Sequence, residues 1–253
     1  MIISVINQTS GAVSDEELLN VIRAINRQIA EDFAPYWSIG ATLRLEGRSG
    51  RNQPKKQTPW DMRGDAVIYL WDDVGKVKNA IGYHDKNNRG VPCGYVFTNI
   101  AKMVGEDWSV TLSHEALELI GDPEVNLLVT GPHPFEPKRS VFFWYELCDA
   151  VQAEHYKIDG VPVSNFLLPL YFTGEHEPGG RNDFLGRLYK GRPLKSFGVK
   201  PGGYIGFFDP KKKENLIYAI PKDKKAQERR EIKGQAQLAR RAFRYQRFQL
   251  DGK

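Results

Sequence analysis

The chain has 253 residues, 41% of them apolar, and a net charge of +5. That is enough for one large domain or two small ones, with no apolar run near the roughly 20 residues a membrane-spanning helix needs. The charge is uneven: residues 1–210 carry 22 Lys/Arg against 26 Asp/Glu, and residues 211–253 carry 14 against 5, so the basic character belongs to the tail.

The first expected element is a short strand, Ile2–Asn7. Ser14 then stands as an N-cap with Glu17 three residues on, a capping box. Leu18, Ile22, Ile25, Ile29 and Phe33 recur at spacings of 3 and 4, the stripe of a half-buried helix that Pro35 should end. "SIGATLRLEG" alternates as a strand and "DAVIYLWDD" reads as a buried one, with the polar, basic loop "RSGRNQPKKQTPW" between them. "GYHDKNNRGVPCGYVFTN" predicts a Gly/Asn-rich loop leading into a strand near Tyr95–Thr98. A helix from about Asp107 to Ile120 follows, with Asp107 or Ser109 as cap and Gly121 and Pro123 as stop. Beyond it lie an apolar run ending in acid, "SVFFWYELCDAV", a hairpin turning on Asp159-Gly160, and a second hairpin in "GGYIGFFDPKKKENLIYAIP". This order predicts an α/β (α+β) domain over residues 1–222, with a mixed sheet, a helix carrying the site and trailing β-hairpins. Residues 223–253 are expected to form a basic helical extension.

Function turns on the letters H-E-A-L-E at 114–118. Residues four apart share a helix face, so His114 and Glu118 can converge on one point with Glu115 beside them. Two ligands at that spacing can hold Zn²⁺, and the Glu after the first acts as general base toward a water whose pKa the metal lowers to about 7. A carboxylate oxygen is an acceptable zinc ligand. The plain alternative is an amphipathic helix whose glutamates solvate its wet side. A third ligand must come from elsewhere, and "YELCDAV" is the best source. If that piece is helical, Glu146 and Asp149 face the same way, one to ligate the metal and the other to orient His114. Glu146 is the preferred ligand, with Asp149 the orienting group or alternative ligand. His84, His133 and His155 are reserves. With one imidazole and two carboxylates, Mn²⁺ or Fe²⁺ suits the set nearly as well as Zn²⁺.

"TLSHEALELIGDP", "YELCDAV" and "YKIDGVPVSNFLLPLYF" resemble a family of uncharacterised, zincin-like H-E-x-x-E proteins of bacteria and their phages. The likeness runs from "GYHD" near Gly82 through "GGYIGFF", over half the chain. The resemblance implies a metallopeptidase-like fold with His114, Glu115, Glu118, Glu146 and Asp149 in one pocket, and leaves the substrate open.

Other features carry less. A strand such as "GYVFTN" could pair with an extended peptide if it lies at a sheet edge, which favours a peptide or protein substrate. In the tail, Ile232, Ala236, Ala239 and Phe243 make a narrow apolar stripe among Lys and Arg, the pattern of a solvated helix or of a contact with an acidic protein or nucleic acid. No P-loop, G-x-G-x-x-G or G-x-S-x-G occurs. Cys93 and Cys148 show no C-x-x-C pairing, and "MIISVINQTS" has no leader pattern, so a cytoplasmic protein is expected. Cys148 beside Asp149 is a blunted nucleophile at best. The expected activity is that of a metal-dependent peptidase. Its rival is a non-catalytic protein of the same architecture that docks through the tail.

Overall fold

A computed structural model describes residues 1–47, 64–73, 82–86, 90–175, 177–221 and 223–224. The basic loop expected at 48–60 and, beyond Lys224, the basic extension lie outside the described residues.

The chain builds a mixed α+β fold. β1 (Ile2–Asn7) is apolar on both faces, as suits a strand inside a largely parallel sheet. Ser14 Oγ accepts the Glu17 N–H at 3.1 Å and starts α1 (Asp15–Arg27), whose Leu18, Ile22 and Ile25 turn inward. Pro35 does not stop this helix, contrary to expectation. The chain runs on through a π-helical segment (Gln28–Phe33) into α2 (Ala34–Trp37), where Pro35 sits in a first turn that needs no N–H donor. The stop comes at Ser38, in the left-handed region with φ 55°.

β2 (Thr42–Leu45), β3 (Ala66–Trp71), β4 (Gly82–Lys86) and β5 (Pro92–Phe97) complete a sheet of order β2-β1-β3-β5-β4. All neighbours are parallel except β4, which runs antiparallel to β5 with His84 opposite Gly94. Two expectations fail here. The Gly/Asn-rich stretch begins as strand β4, and the Gly94–Phe97 part of "GYVFTN" belongs to an interior strand paired on both sides, so β4 is the outer strand at this end of the sheet and β2 at the other. "GYHDK" has little strand propensity of its own, and pairing with β5 supplies its structure.

After the short α3 (Thr98–Met103) comes α4 (Trp108–Gly121), whose N-cap Asp107 accepts the Ser109 N–H at 3.0 Å. α1 and α4 cover one face of the sheet, burying Leu18, Ile22, Leu112 and Leu119 against Ile3, Val5, Ile68, Leu70 and Val96. Ile6, Val67 and Cys93 pack with Tyr69 and Tyr95 on the other face. The alternative of a wet helix face is overturned, because every residue of α4 from Ser109 to Ile120 is buried.

Val163, Phe166, Leu168, Leu147 and Cys148 supply that cover on the side away from the sheet. β6 (Leu128–Pro132), β7 (Ser140–Trp144), β10 (Tyr204–Asp209) and β11 (Glu214–Ala219) form an antiparallel sheet of order β11-β10-β7-β6, with a core of Val141, Phe143, Tyr171 and Phe207. β8 (His155–Ile158) and β9 (Val161–Ser164) make the expected hairpin, with Asp159 and Gly160 at φ 49° and 83°, the sign a tight two-residue turn requires. No helix among the described residues is long and apolar enough to cross a membrane.

Candidate metal centre

Three elements meet over the middle of α4. The helix contributes His114, Glu115 and Glu118, and its four-residue spacing brings His114 Nε2 to 3.1 Å from Glu118 Oε1. β4 lies against the helix and contributes His84. The His84 Nδ1 is 3.4 Å from Glu115 Oε2 and 3.5 Å from Glu118 Oε2, and its Nε2 is 3.7 Å from Glu146 Oε2. The loop after β7 contributes Glu146, Cys148 and Asp149. Asp149 Oδ1 lies 3.3 Å from His114 Nε2, and the Cys148 N–H donates to Glu118 Oε1 at 3.2 Å.

The acidic loop reaches the helix because Gly121 lets it. A Cβ at that position would stand 2.4 Å from Leu147 Cδ1, so a larger residue would force the buried Leu147 side chain to move. The loop is irregular through Cys148, and only Asp149 enters a short 3-10 turn, Asp149–Val151. Glu146 and Asp149 are therefore not presented by one helix, as the sequence reading supposed. They enter the cluster at different points, Glu146 at His84 and Asp149 at His114. Tyr145, just before them, packs on Phe172 and Trp37 with ring centroids 4.6 and 5.9 Å away. Burial, aided by the charge of Asp122, pushes its phenol up to about 12.

Of the reserve histidines, only His84 joins the cluster. His133 accepts the N–H groups of Phe135 and Glu136 at 3.1 Å through Nδ1, with Nε2 3.8 Å from Asp209 in the antiparallel sheet. His155 is exposed on β8. Cys148, read from the sequence only as a poor nucleophile, joins too. Two donor groups result, His114 with Glu118 and Cys148, and His84 with Glu118 and Glu146, each with candidate ligand atoms within 4.8 Å of one another. This is a buried cluster able to coordinate a metal ion.

Its distances suit that use. Separations of 3.4–3.7 Å around His84 exceed the 2.7–3.2 Å of ordinary N–H···O hydrogen bonds. The two at Nδ1, 3.4 Å to Glu115 and 3.5 Å to Glu118, match the edge of a tetrahedron around an ion held at about 2.0–2.2 Å, which is about 3.3–3.6 Å, whereas Glu146 faces the opposite ring nitrogen. Both Glu115 carboxylate oxygens are buried and accept no hydrogen bond from the described residues, a costly condition that a neighbouring cation would relieve. Two imidazoles, even when both are protonated, offset only two of the four carboxylates gathered here.

The cluster is closely covered. The Glu115 side chain is 1% exposed, and Glu146, the most open member, is 10% exposed. A crevice of about 790 Å³ opens elsewhere, at the N-terminal end of α4 among Val13, Asn20, Thr98, Trp108 and Pro162. Comparisons with protein-family models, curated proteins and solved structures matched nothing to this chain.

Proposed function

We propose that the cluster holds a divalent ion, zinc with manganese or iron as close alternatives, in a zincin-like hydrolase that cleaves peptide bonds. The reading rests on one observation above others: the H-E-x-x-E helix meets His84 and the acidic loop at separations of a coordination shell, with Glu115 alongside and not hydrogen-bonded by the described residues. His114, Glu118 and Glu146 are the assigned ligands, with His84 and Cys148 within reach. Asp149 faces the same His114 nitrogen as Glu118 and so stands as an alternative ligand, not as the group that orients the ring. When bound, such an ion polarises a carbonyl and makes water acidic enough to yield hydroxide near neutral pH, its pKa falling to about 7. Glu115 takes the proton of the attacking water and returns it to the leaving amine. β4, an outer strand, is the place where an extended peptide would add to the sheet beside His84.

The test is turnover of a quenched-fluorescent peptide library by the full chain, with metal content measured in parallel. Glu115→Gln is expected to lower turnover by about 10²–10⁴-fold while metal content stays unchanged. Turnover that survives Glu115→Gln, or a chain that takes up none of the three metals, overturns the reading.

Enclosure favours a second reading. Structural metal sites are closed, whereas catalytic ones keep an open position. A wholly covered ion would staple β4, α4 and the acidic loop without turnover, leaving any docking function to residues 223–253. Under that reading chelation lowers the melting temperature and no peptide in the library is cut.

A further inference from the structure

We infer that the cluster is built for two metal ions bridged by Glu118. The inference rests on the metal-binding reading above and deepens it. Glu118 presents its two oxygens to different partners. Oε1 faces His114 Nε2 at 3.1 Å and receives the Cys148 N–H at 3.2 Å, while Oε2 faces His84 Nδ1 at 3.5 Å. The two donor groups share only this residue. One is His114, Glu118 and Cys148, with Asp149 Oδ1 3.3 Å from the same imidazole nitrogen. The other is His84, Glu118 and Glu146; Glu118 and Glu115 Oε2, the latter at 3.4 Å, face His84 Nδ1, and Glu146 faces Nε2 at 3.7 Å.

Geometry and charge agree. In this arrangement a single ion serves both sets only if Glu118 turns its two oxygens to one point, whereas they face opposite histidines. Two ions joined through the two oxygens of a carboxylate sit about 3.5–4 Å apart, the spacing of binuclear hydrolytic sites. One divalent ion offsets two of the four carboxylates, and two ions offset the four, leaving the one negative charge of a coordinated Cys148 thiolate. The donor sets also differ in softness. Cys148 makes the His114 site one for zinc, whereas the His84 site offers only nitrogen and oxygen and accepts manganese as readily.

The experiment is saturation of the purified full-length protein with Mn²⁺, and separately with Zn²⁺, followed by gel filtration and elemental analysis. Two ions per chain are expected, falling to one in His84→Ala and to one in His114→Ala. Electron paramagnetic resonance of the manganese-loaded wild type should give an exchange-coupled spectrum in place of the six lines of an isolated ion, and this readout needs no variant. One ion per chain under zinc as well as manganese loading overturns the inference and leaves the single-ion reading standing. No bound ion under any loading overturns both.

Discussion

The Nδ1 of His84, on an outer strand of the sheet, lies 3.4 Å from Glu115 Oε2 on α4, and both side chains are 1% exposed. A histidine and a carboxylate this close and this enclosed, at a distance too long for a good hydrogen bond, form an arrangement that a third charged body completes.

The first prediction follows from that pair. Glu115→Gln keeps the shape of the side chain and removes its charge. In the chelator-treated protein it should stabilise the fold by about 1–3 kcal/mol, the cost of a buried polar group left without a partner. For a chain of this size each 1 kcal/mol moves the melting temperature by about 2–4 °C. Thermal unfolding in excess chelator checks it, and a lower melting temperature in the variant would show that the carboxylate supports the metal-free fold.

A second concerns the residue before His114. Ser113 Oγ donates to Gln28 Oε1 at 2.6 Å and accepts the Ser164 N–H at 3.0 Å, while Gln28 Nε2 donates to the Ser164 carbonyl at 2.8 Å. This closed, buried ring ties the π-helical segment to α4 and β9. Ser113→Ala strands a buried acceptor and a buried donor together and should cost about 2–4 kcal/mol. Urea unfolding measures it. A loss under 1 kcal/mol would mean that water or a side-chain shift replaces the hydroxyl.

The third tests the support beneath Asp149. A Cβ on Gly203 would lie 2.2 Å from the Ala150 carbonyl oxygen and 2.6 Å from its carbon, both backbone atoms that cannot swing aside. Gly203→Ala should therefore displace the Asp149–Val151 turn, destabilise the fold by about 1–3 kcal/mol and weaken metal binding by about 10–100-fold. A metal titration that matches the wild type would separate this turn from the site.

The fourth concerns alkaline pH. Burial, and secondarily Asp122, raises the Tyr145 phenol from its ordinary 10 to about 12. The fold thus favours the protonated phenol. Its contribution is complete below pH 10 and is lost as pH rises from 10 toward 12, because the unfolded chain ionises first. Tyr145→Phe should show a shallower loss of stability across that window, read from urea unfolding at pH 9, 10 and 11. Equal slopes would assign the loss to other raised phenols, among them Tyr156 and Tyr171.

Much of the frame is legible in short stretches. Ser14 and Asp107 cap the helices they were expected to cap, and the turn at Asp159-Gly160 needs only the conformations those residues tolerate. Pro35 misleads because a π-helical segment, invisible to a 3.6-residue period, lets the chain absorb a proline without stopping. "GYHDK" misleads because it has no alternation to announce a strand.

By itself, then, the sequence determined what depends on neighbours within a few positions: the starts of α1 and α4, the hairpin turn at Asp159-Gly160, and the shared face of His114 and Glu118. Only the tertiary structure decided that β4 is an outer strand, that α4 has no wet side, and that His84, Cys148, Glu146 and Asp149 meet over it. The reason is physical. Caps and helical spacings are short-range geometry, whereas the meeting of three elements distant along the chain depends on the order of strands in the sheet and on a loop seated where Gly121 leaves room for it.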